Sequence, residues 1–312
     1  MKAHLCGHEK SRREFLSSCA GYTLAALAAS TSAQRRAYAA ENVGEVVTEA
    51  AFARIEKLAD GVWAAISTPA GRDFTTLSNG GIIAGKDGVL VIEGFMNPKG
   101  ASWLAGAAKE LTGHAPTHVA LTHFHGDHVS GLSGYFENGA SPKVAVTKTT
   151  SGAMKTPPEH AEIIGESSAS TIDLGGRTVR ITPRLGHTAS DITIEIDGPE
   201  ITWCGDLLWN GFFPNYVDAI PSKLNENCLA LFSDAKRTYV PGHGSIPDAA
   251  RIAQYAGLLL HIEAFARKSH ADGKKAEDAA KEFTVPDSLG EWAQFQPNFY
   301  RTALMSWEKE LG

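Results

Sequence analysis

The chain has 312 residues, of which 43% are hydrophobic and 21% are charged, and its formal net charge is -6 at pH 7. These proportions are typical of a globular protein with one large domain or two small ones. No apolar run approaches the roughly 20 residues of a membrane-spanning helix, and the acidic balance argues against the basic patch of a nucleic-acid-binding protein. We therefore expect neither a stable membrane anchor nor a nucleic-acid partner.

The N-terminal segment has the pattern of a targeting signal. Paired arginines in "SRREFL" precede a mildly apolar stretch, and Ala37 and Ala39 in "RAYAAEN" offer a small-residue cleavage site. The segment resembles a twin-arginine export signal, which implies that the twin-arginine machinery exports the folded protein to the periplasm or the exterior of a bacterial cell. We predict a signal peptide over 1–39 and a mature domain over 40–312.

Short β-branched or apolar runs, punctuated by glycine, predict two sets of strands. The first set covers 61–67, 80–85, 88–94 and 117–122, and the second covers 142–147, 177–186, 191–197, 200–206 and 237–244. Helical patterns cover 97–113, 247–270, 274–283 and 289–311. This arrangement predicts an α/β fold of layered sheets covered by helices.

A crowded group of polar side chains follows the strand predicted at 117–122. The stretch "LTHFHGDHVSG" contains His123, His125, Asp127 and His128, with Gly126 as the point where the backbone can turn tightly. Imidazole nitrogens and carboxylate oxygens are suitable ligands for zinc, iron or manganese. The carboxyl end of a strand is also where α/β folds commonly place their ligand sites. The stretch therefore predicts a metal site.

Three further ligand candidates occupy the same sequence context. His187, Asp206 and His243 each lie next to a glycine and directly after an apolar run that predicts a strand. With the four side chains above they make seven potential ligands. Seven are too many for one four-coordinate ion but suit two.

The combined motifs resemble those of the metallo-β-lactamase superfamily. The order H-x-H-x-D-H, G-H-T, G-D and P-G-H-G runs through the chain as it does in that family of hydrolases, whose fold is a four-layer αββα sandwich. The resemblance implies two zinc ions per chain, with iron and manganese as alternatives. It assigns one ion to His123, His125 and His187, the other to Asp127, His128 and His243, and the bridging position to Asp206.

Two neighbouring metal ions imply a mechanism of hydrolysis. Ions about 3.5–4 Å apart share a water and lower its pKa towards about 7, which provides hydroxide at neutral pH. One ion polarises the carbonyl of a small-molecule ester, lactone, thioester or amide, and the other stabilises the developing charge or the leaving group. Asp127 has a second possible role as the catalytic group that orients the nucleophile or transfers a proton.

Two positions help to place the chain within the family. Asp206 at the bridging position resembles the glyoxalase-II and lactonase branches, whereas class-B β-lactamases usually have cysteine or another residue there. Cys204 lies two residues away, and its apolar flanks favour a buried, inert thiol. Glu93 stands where the family generally has an aspartate that supports a metal ligand from outside, so its longer side chain changes the orienting geometry.

An aromatic segment follows Asp206. Trp209, Phe212, Phe213 and Tyr216 predict either an apolar wall of the substrate pocket or a packed loop. Asn210 or Asn215 is a further candidate contact for a substrate carbonyl.

Three alternatives to an exported zinc hydrolase of this kind remain open from the sequence. The first is a true β-lactamase, which export would suit because β-lactams act outside the cytoplasm. The second is a mononuclear-iron sulfur dioxygenase of the same fold, which would use His123, His187 and Asp206. The third is a non-catalytic binding protein, which the complete ligand set disfavours.

Overall fold

The computed structural model of the chain describes residues 43–68, 73–159 and 161–312. The predicted export signal over 1–39 lies outside these residues, so the signal and the domain boundary after it stay predictions. Within the described residues, no helix combines the length and the apolar character needed to cross a membrane.

The first sheet has eight strands that lie side by side in the order of the sequence. Neighbouring strands are antiparallel from the first to the fifth and parallel from the fifth to the eighth. The strands are β1 (Glu45–Ala50), β2 (Ala53–Ala59), β3 (Val62–Ser67), β4 (Gly80–Ala84), β5 (Val89–Ile92), β6 (His118–Ala120), β7 (Lys143–Thr147) and β8 (Ala161–Ile164).

The second sheet has five strands in the order β13-β12-β11-β10-β9. The pair β12 and β13 is parallel and the other neighbours are antiparallel, so β10, β12 and β13 all run in one direction. Trp203 of β12 stands between Ile194 of β11 and Val240 of β13. The strands are β9 (Ser170–Asp173), β10 (Thr178–Pro183), β11 (Ile192–Asp197), β12 (Glu200–Trp203) and β13 (Thr238–Val240).

Seven α-helices connect and cover these sheets in the described part of the chain. They are α1 (Pro98–Thr112), α2 (Gly126–Val129), α3 (Lys148–Ala153), α4 (Pro221–Leu231), α5 (Ala249–Ala271), α6 (Ala276–Glu282) and α7 (Phe299–Leu311), with 3-10 turns at Leu132–Gly139, Gly205–Leu207 and Asp287–Leu289. The side chain of Asn97 accepts a hydrogen bond from the Lys99 N–H at the start of α1, and Gly113 ends the helix at φ 79°.

Three apolar clusters define four layers. Side chains alternate between the faces of a strand, so Ile83 of β4 packs between the sheets, together with Trp203, whereas Ile82 packs beneath α1 beside Leu104. A third cluster joins the second sheet to the C-terminal helices and includes the fully buried Trp307. The αββα sandwich predicted from the family resemblance is confirmed.

The sequence patterns missed several peripheral elements. Strands β1, β2, β8 and β9 and helix α4 were not predicted, and the helix predicted over 289–311 begins only at Phe299. The exposed or half-buried sides of β1, β8 and β9 explain the weak signal, because an edge strand carries few apolar residues. The central strands, which position the site, were predicted to within a few residues of their ends.

Candidate metal centre

The predicted ligand candidates meet at one edge of the two sheets. The polar stretch that begins at His123 follows β6, His187 follows β10, Asp206 follows β12 and His243 follows β13. Strands that run in one direction end at the same edge, so these loops converge. All seven side chains are at most 4% exposed.

The histidine-rich turn is a change from strand to helix. His125 has extended backbone angles and precedes the first turn of α2, which contains Asp127 and His128. The His128 N–H donates to the His125 carbonyl at 3.0 Å. Residues before the bend therefore point to one side, and those inside α2 point to the other.

The first ligand group consists of three imidazoles and one carboxylate. His125 Nδ1 lies 3.1 Å from His123 Nε2 and 2.9 Å from His187 Nε2. Asp206 Oδ2 lies 3.3 Å from His187 Nε2 and 3.8 Å from His123 Nε2. Tetrahedral zinc with bonds of about 2.0–2.1 Å places its ligand atoms about 3.3 Å apart, so the four atoms have the spacing of one such site.

The second group consists of Asp127, His128 and His243. Asp127 Oδ2 lies 3.3 Å from His243 Nε2 and 3.6 Å from His128 Nε2. The other oxygen of Asp206, Oδ1, lies 3.2 Å from His128 Nε2 and 3.3 Å from His243 Nε2. Asp206 thus faces both groups, one through each carboxylate oxygen, as the predicted bridging position requires.

Two glycines allow Asp206 to reach this position. Gly205 turns the chain at φ 51°, and a Cβ there would lie 2.8 Å from the side chain of Thr122. A Cβ at Gly242 would lie only 2.1 Å from Asp206 Oδ1. The loop after β13 therefore approaches the carboxylate more closely than any side-chain-bearing residue would permit.

Four histidines are oriented by a hydrogen bond on the ring nitrogen that faces away from the centre. The His128 ring donates through Nδ1 to Glu93 Oε1 at 3.0 Å, and the His187 ring donates through Nδ1 to the Asn215 carbonyl at 3.0 Å. The remaining pairs are His123 Nδ1 with Thr122 Oγ1 at 3.0 Å and His125 Nε2 with Asp218 Oδ2 at 3.1 Å. Because the outer nitrogen of each ring has a hydrogen-bond partner, the inward nitrogen of each neutral ring is free to bind a metal ion.

Glu93 reaches its target despite departing from the family pattern. Its Oε1 accepts from the Thr122 hydroxyl at 2.5 Å and from His128 at 3.0 Å, and its Oε2 lies 3.3 Å from the Thr122 N–H. Glu93 adopts φ 76°, which is unusual for a residue other than glycine. The backbone position and the longer side chain together place the carboxylate beside His128.

The electrostatics separate the two groups. Burial lowers the pKa values of His123, His125 and His187, so their rings are neutral and able to bind a metal. Burial also lowers the pKa values of His128 and His243, the two histidines of the second group, but there the surrounding carboxylates together outweigh burial. They raise the pKa of His128 well above its usual value and that of His243 to about 9.

The ligand atoms of both groups lie close together but pair poorly with one another, and a metal ion would satisfy them. In the first group three acceptor nitrogens point together at 2.9–3.1 Å, which is repulsive unless a cation lies among them. In the second group, the buried Asp127 Oδ1 has no hydrogen-bond partner among the described residues. His128 Nε2 and His243 Nε2 approach Asp206 Oδ1 at 3.2 and 3.3 Å, but without the geometry of a hydrogen bond. Unpaired buried polar atoms are costly, and a bound cation would satisfy them.

The aromatic segment after Asp206 is packed into the protein. Trp209, Phe212, Phe213 and Tyr216 are at most 1% exposed and belong to the core cluster beneath the C-terminal helices. This is the arrangement of the packed-loop interpretation, because such side chains present almost no surface to a substrate. The exception in orientation is Trp209, whose indole faces the site by stacking on the ring of His243.

The side chains of Asn210 and Cys204 also make their contacts away from the ligand groups. Asn210 is 7% exposed, and its side-chain amide donates to the Ser245 carbonyl at 2.8 Å and accepts from Arg251 Nε at 3.2 Å. Cys204 Sγ lies 3.7 Å from the Thr202 carbonyl, and burial raises the pKa of this thiol. Cys204 belongs to neither ligand group among the described residues, as expected of an inert thiol.

Several residues of the site carry no sequence signal of their own. Asp218 and Asn215 hold two ligand rings, but they lie in a loop without a strand or a glycine beside them. Phe295 lies still further along the chain, where its half-buried ring sits 5.7 Å from that of His243. The backbone of this segment is bound to the aromatic segment, since the Phe213 N–H donates to the Ala293 carbonyl at 2.9 Å.

Comparison with known proteins identifies the family. The family model described as the metallo-beta-lactamase superfamily matches residues 75–243, more than half of the 312 residues. The chain belongs to the metallo-beta-lactamase superfamily. The matched region contains all seven ligand candidates and ends at His243, so Phe295 lies outside the part of the chain that the superfamily model matches.

Two sequence relatives are enzymes of this superfamily. The chain is 28% identical over 162 residues to the hydroxyacylglutathione hydrolase of Acidiphilium cryptum (strain JF-5), an alignment that covers 52% of this chain and 63% of the relative. It is 25% identical over 191 residues to the metallo-beta-lactamase type 2 of Bacillus sp. (strain 170), covering 59% and 70% of the two chains. The prediction of a superfamily hydrolase is confirmed at the level of the family.

Solved structures support the fold. A metallo-beta-lactamase from Pontibacter korlensis superposes with a TM-score of 0.56 at 20% identity, covering 67% of this chain and 99% of its own. The metallo-beta-lactamase FIM-1 from Pseudomonas aeruginosa, in its mono-zinc form, gives 0.55 at 18% identity, with 71% and 97% covered. At this level of identity the superfamily fold is shared.

Proposed function

We propose that the protein is an exported dinuclear zinc hydrolase that cleaves an ester, lactone or thioester bond, or an amide bond, of a small molecule. The observation that carries this proposal is the division of one buried centre into two ligand groups, with the oxygens of Asp206 facing one group each. In this assignment, His123, His125 and His187 would hold the first ion. Asp127, His128 and His243 would hold the second, and Asp206 would contact both.

The bound ions would supply hydroxide at neutral pH and an electrophile for the substrate carbonyl. The protein itself orients the ligand rings and excludes bulk water from the centre. Thr122 and Asp218 hold the proton of a ligand ring on its outer nitrogen, so the inner lone pair stays available. Ligands that are at most 4% exposed exclude bulk water, which strengthens electrostatic interactions at the centre.

Asp127 is the side chain best placed to handle the proton of the reaction. Its Oδ2 belongs to the second ligand group, whereas its buried Oδ1 has no hydrogen-bond partner among the described residues. The neighbouring rings of His128 and His243 outweigh burial and lower the pKa of this carboxyl, so it is ionised at neutral pH. Asp127 Oδ1 can therefore accept the proton of the attacking water and pass it to the leaving group.

The bridging carboxylate favours ester, lactone and thioester substrates. Asp206 faces both ligand groups, as a bridging ligand would, and the buried thiol of Cys204 stands apart from both. The relative named hydroxyacylglutathione hydrolase supports this branch. A β-lactamase is the second candidate, which the relative named metallo-beta-lactamase type 2 favours.

Metal analysis followed by a substrate panel tests the proposal. We expect two zinc ions per chain, hydrolysis of at least one ester, lactone or thioester, and loss of that activity with a chelator. Turnover of a chromogenic cephalosporin that the chelator abolishes would select the β-lactamase instead. One iron per chain with oxygen uptake would select the sulfur dioxygenase, in which His123, His187 and Asp206 hold the ion.

Export is proposed from the paired arginines and the cleavage site near Ala39. A twin-lysine variant of Arg12 and Arg13 in a bacterial host provides the test. We expect the wild-type protein in the periplasmic fraction and the variant in the cytoplasm. Equal distribution of the two proteins would contradict the proposal.

A further inference from the structure

His243 is held differently from the other four ligand candidates of its type. Each of those rings has a hydrogen-bond partner on its outer nitrogen, as described above. The outer nitrogen of His243, Nδ1, is buried and has no hydrogen-bond partner among the described residues. No hydrogen bond on the outer nitrogen therefore sets the orientation of this ring, in contrast to the other four.

Aromatic packing takes the place of that hydrogen bond. The indole of Trp209 lies against the His243 ring with the centroids 4.0 Å apart and the planes 27° from parallel. The ring of Phe295 lies 5.7 Å from the His243 ring at an angle of 53°. Trp209 is 1% exposed, so the surrounding core fixes its own position.

Trp209 is also tied to the backbone on both sides of the centre. Its Nε1–H donates to the Asp206 carbonyl at 3.0 Å. Trp209 forms a parallel bridge with His243, and the N–H of the next residue, Asn210, donates to the His243 carbonyl at 3.0 Å. One side chain thus joins the loop that carries the bridging carboxylate to the loop that carries the last histidine.

We infer that Trp209 is the positioning residue of the second metal site. The inference rests on the proposed dinuclear function, and it assigns to indole stacking the task that hydrogen bonds perform for the other ligands. Without the indole, the His243 ring is free to rotate away from Asp127. The first site is expected to remain. The His187 ring also lies 6.3 Å from that of Trp209, but its hydrogen bond to the Asn215 carbonyl is independent of the indole, and His123 and His125 have hydrogen-bond partners of their own.

The test compares zinc binding in Trp209→Leu and Trp209→Phe with that in wild-type protein. We expect two ions in the wild type, and in Trp209→Leu a second ion bound about 10–100-fold more weakly, the usual effect of losing an outer support. Trp209→Phe keeps a planar ring and should restore binding to within a few-fold. Zinc titration against a competing chromogenic chelator measures both affinities without the need for a substrate.

Trp292→Leu is the matched control. Trp292 belongs to the same core cluster, but its indole packs on Arg251 and Tyr255 and has no ring contact with His243. We expect this variant to bind both ions as the wild type does. Trp209→Met, with a flexible apolar side chain, replaces Trp209→Leu if the latter does not fold.

The outcomes separate the inference from the function on which it rests. If the wild type holds two ions and the Leu or Met variant holds both with unchanged affinity, the inference is wrong and the dinuclear proposal stands. Equal weakening of both ions in a folded variant also overturns it. A wild-type protein that binds a single ion overturns the dinuclear proposal itself, and the inference with it.

Discussion

Replacing Glu93 with aspartate restores the residue that is usual in the family, yet we expect the change to weaken the centre. The carboxylate of Glu93 accepts from His128 Nδ1 at 3.0 Å and from the Thr122 hydroxyl at 2.5 Å. Removing one methylene withdraws the carboxylate by up to about 1.5 Å. The distance to His128 then exceeds hydrogen-bond range.

The magnitude follows from the type of bond that is lost. A hydrogen bond to a charged group contributes about 1.5–3 kcal/mol, which corresponds to about 10–150-fold in affinity. Supporting residues around metal ligands show losses of the same size. Backbone strain does not add to this effect, because aspartate adopts the positive φ of position 93 more readily than most residues.

Zinc titration against a competing chelator is the assay, with Glu110→Asp as the matched control. Glu110 is exposed near the end of α1, so this control shortens a glutamate away from the centre. We expect Glu93→Asp to weaken the second ion by about 10–100-fold and Glu110→Asp to change nothing. Wild-type affinity in Glu93→Asp would refute the view that Glu93 orients His128.

Three further predictions address other parts of the site. Asp218→Asn removes the charged partner of His125 Nε2 and should weaken the first ion by about tenfold; unchanged affinity in a zinc titration would count against it. Gly242→Ala places a Cβ 2.1 Å from Asp206 Oδ1 and should lower the free energy of unfolding by about 1–3 kcal/mol, as measured by thermal unfolding. Gly106→Ala, with open space around its Cβ, should not destabilise the protein. A chelator should lower the unfolding temperature, because free zinc at 100 times its Kd stabilises by about 2.7 kcal/mol; an equal temperature with and without chelator would contradict bound metal.

The ligand candidates were predictable because each has a strong local signal. His187, Asp206 and His243 follow buried strands, and a glycine next to each marks a tight turn. The structure brings all seven candidates into the two groups that the resemblance implied. Each candidate directly follows a strand, and the loops after parallel strands meet at one edge of a sheet.

The supporting residues were not predictable in the same way. Asp218 lies 93 residues from His125 along the chain, in a loop with no periodicity, so its hydrogen bond depends on the tertiary fold. Thr122 precedes His123 directly, yet a lone threonine next to a ligand is a common occurrence. The packing of Phe212 and Phe213 was equally hidden, because aromatic residues in a loop suit a pocket and a core alike.

The buried charge of the centre suits the pair of ions that we propose. Four carboxylates touch or approach the ligand histidines: Glu93, Asp127, Asp206 and Asp218, none more than 11% exposed at the side chain. When ionised they carry four negative charges, and imidazoles that bind a metal ion are neutral and add none. Two divalent ions balance the four charges, whereas with one ion the protons on His128 and His243, whose pKa values the carboxylates raise, supply the remaining positive charge. Because Asp206 directs one oxygen to each ligand group, the geometry supports the pair of ions that we propose.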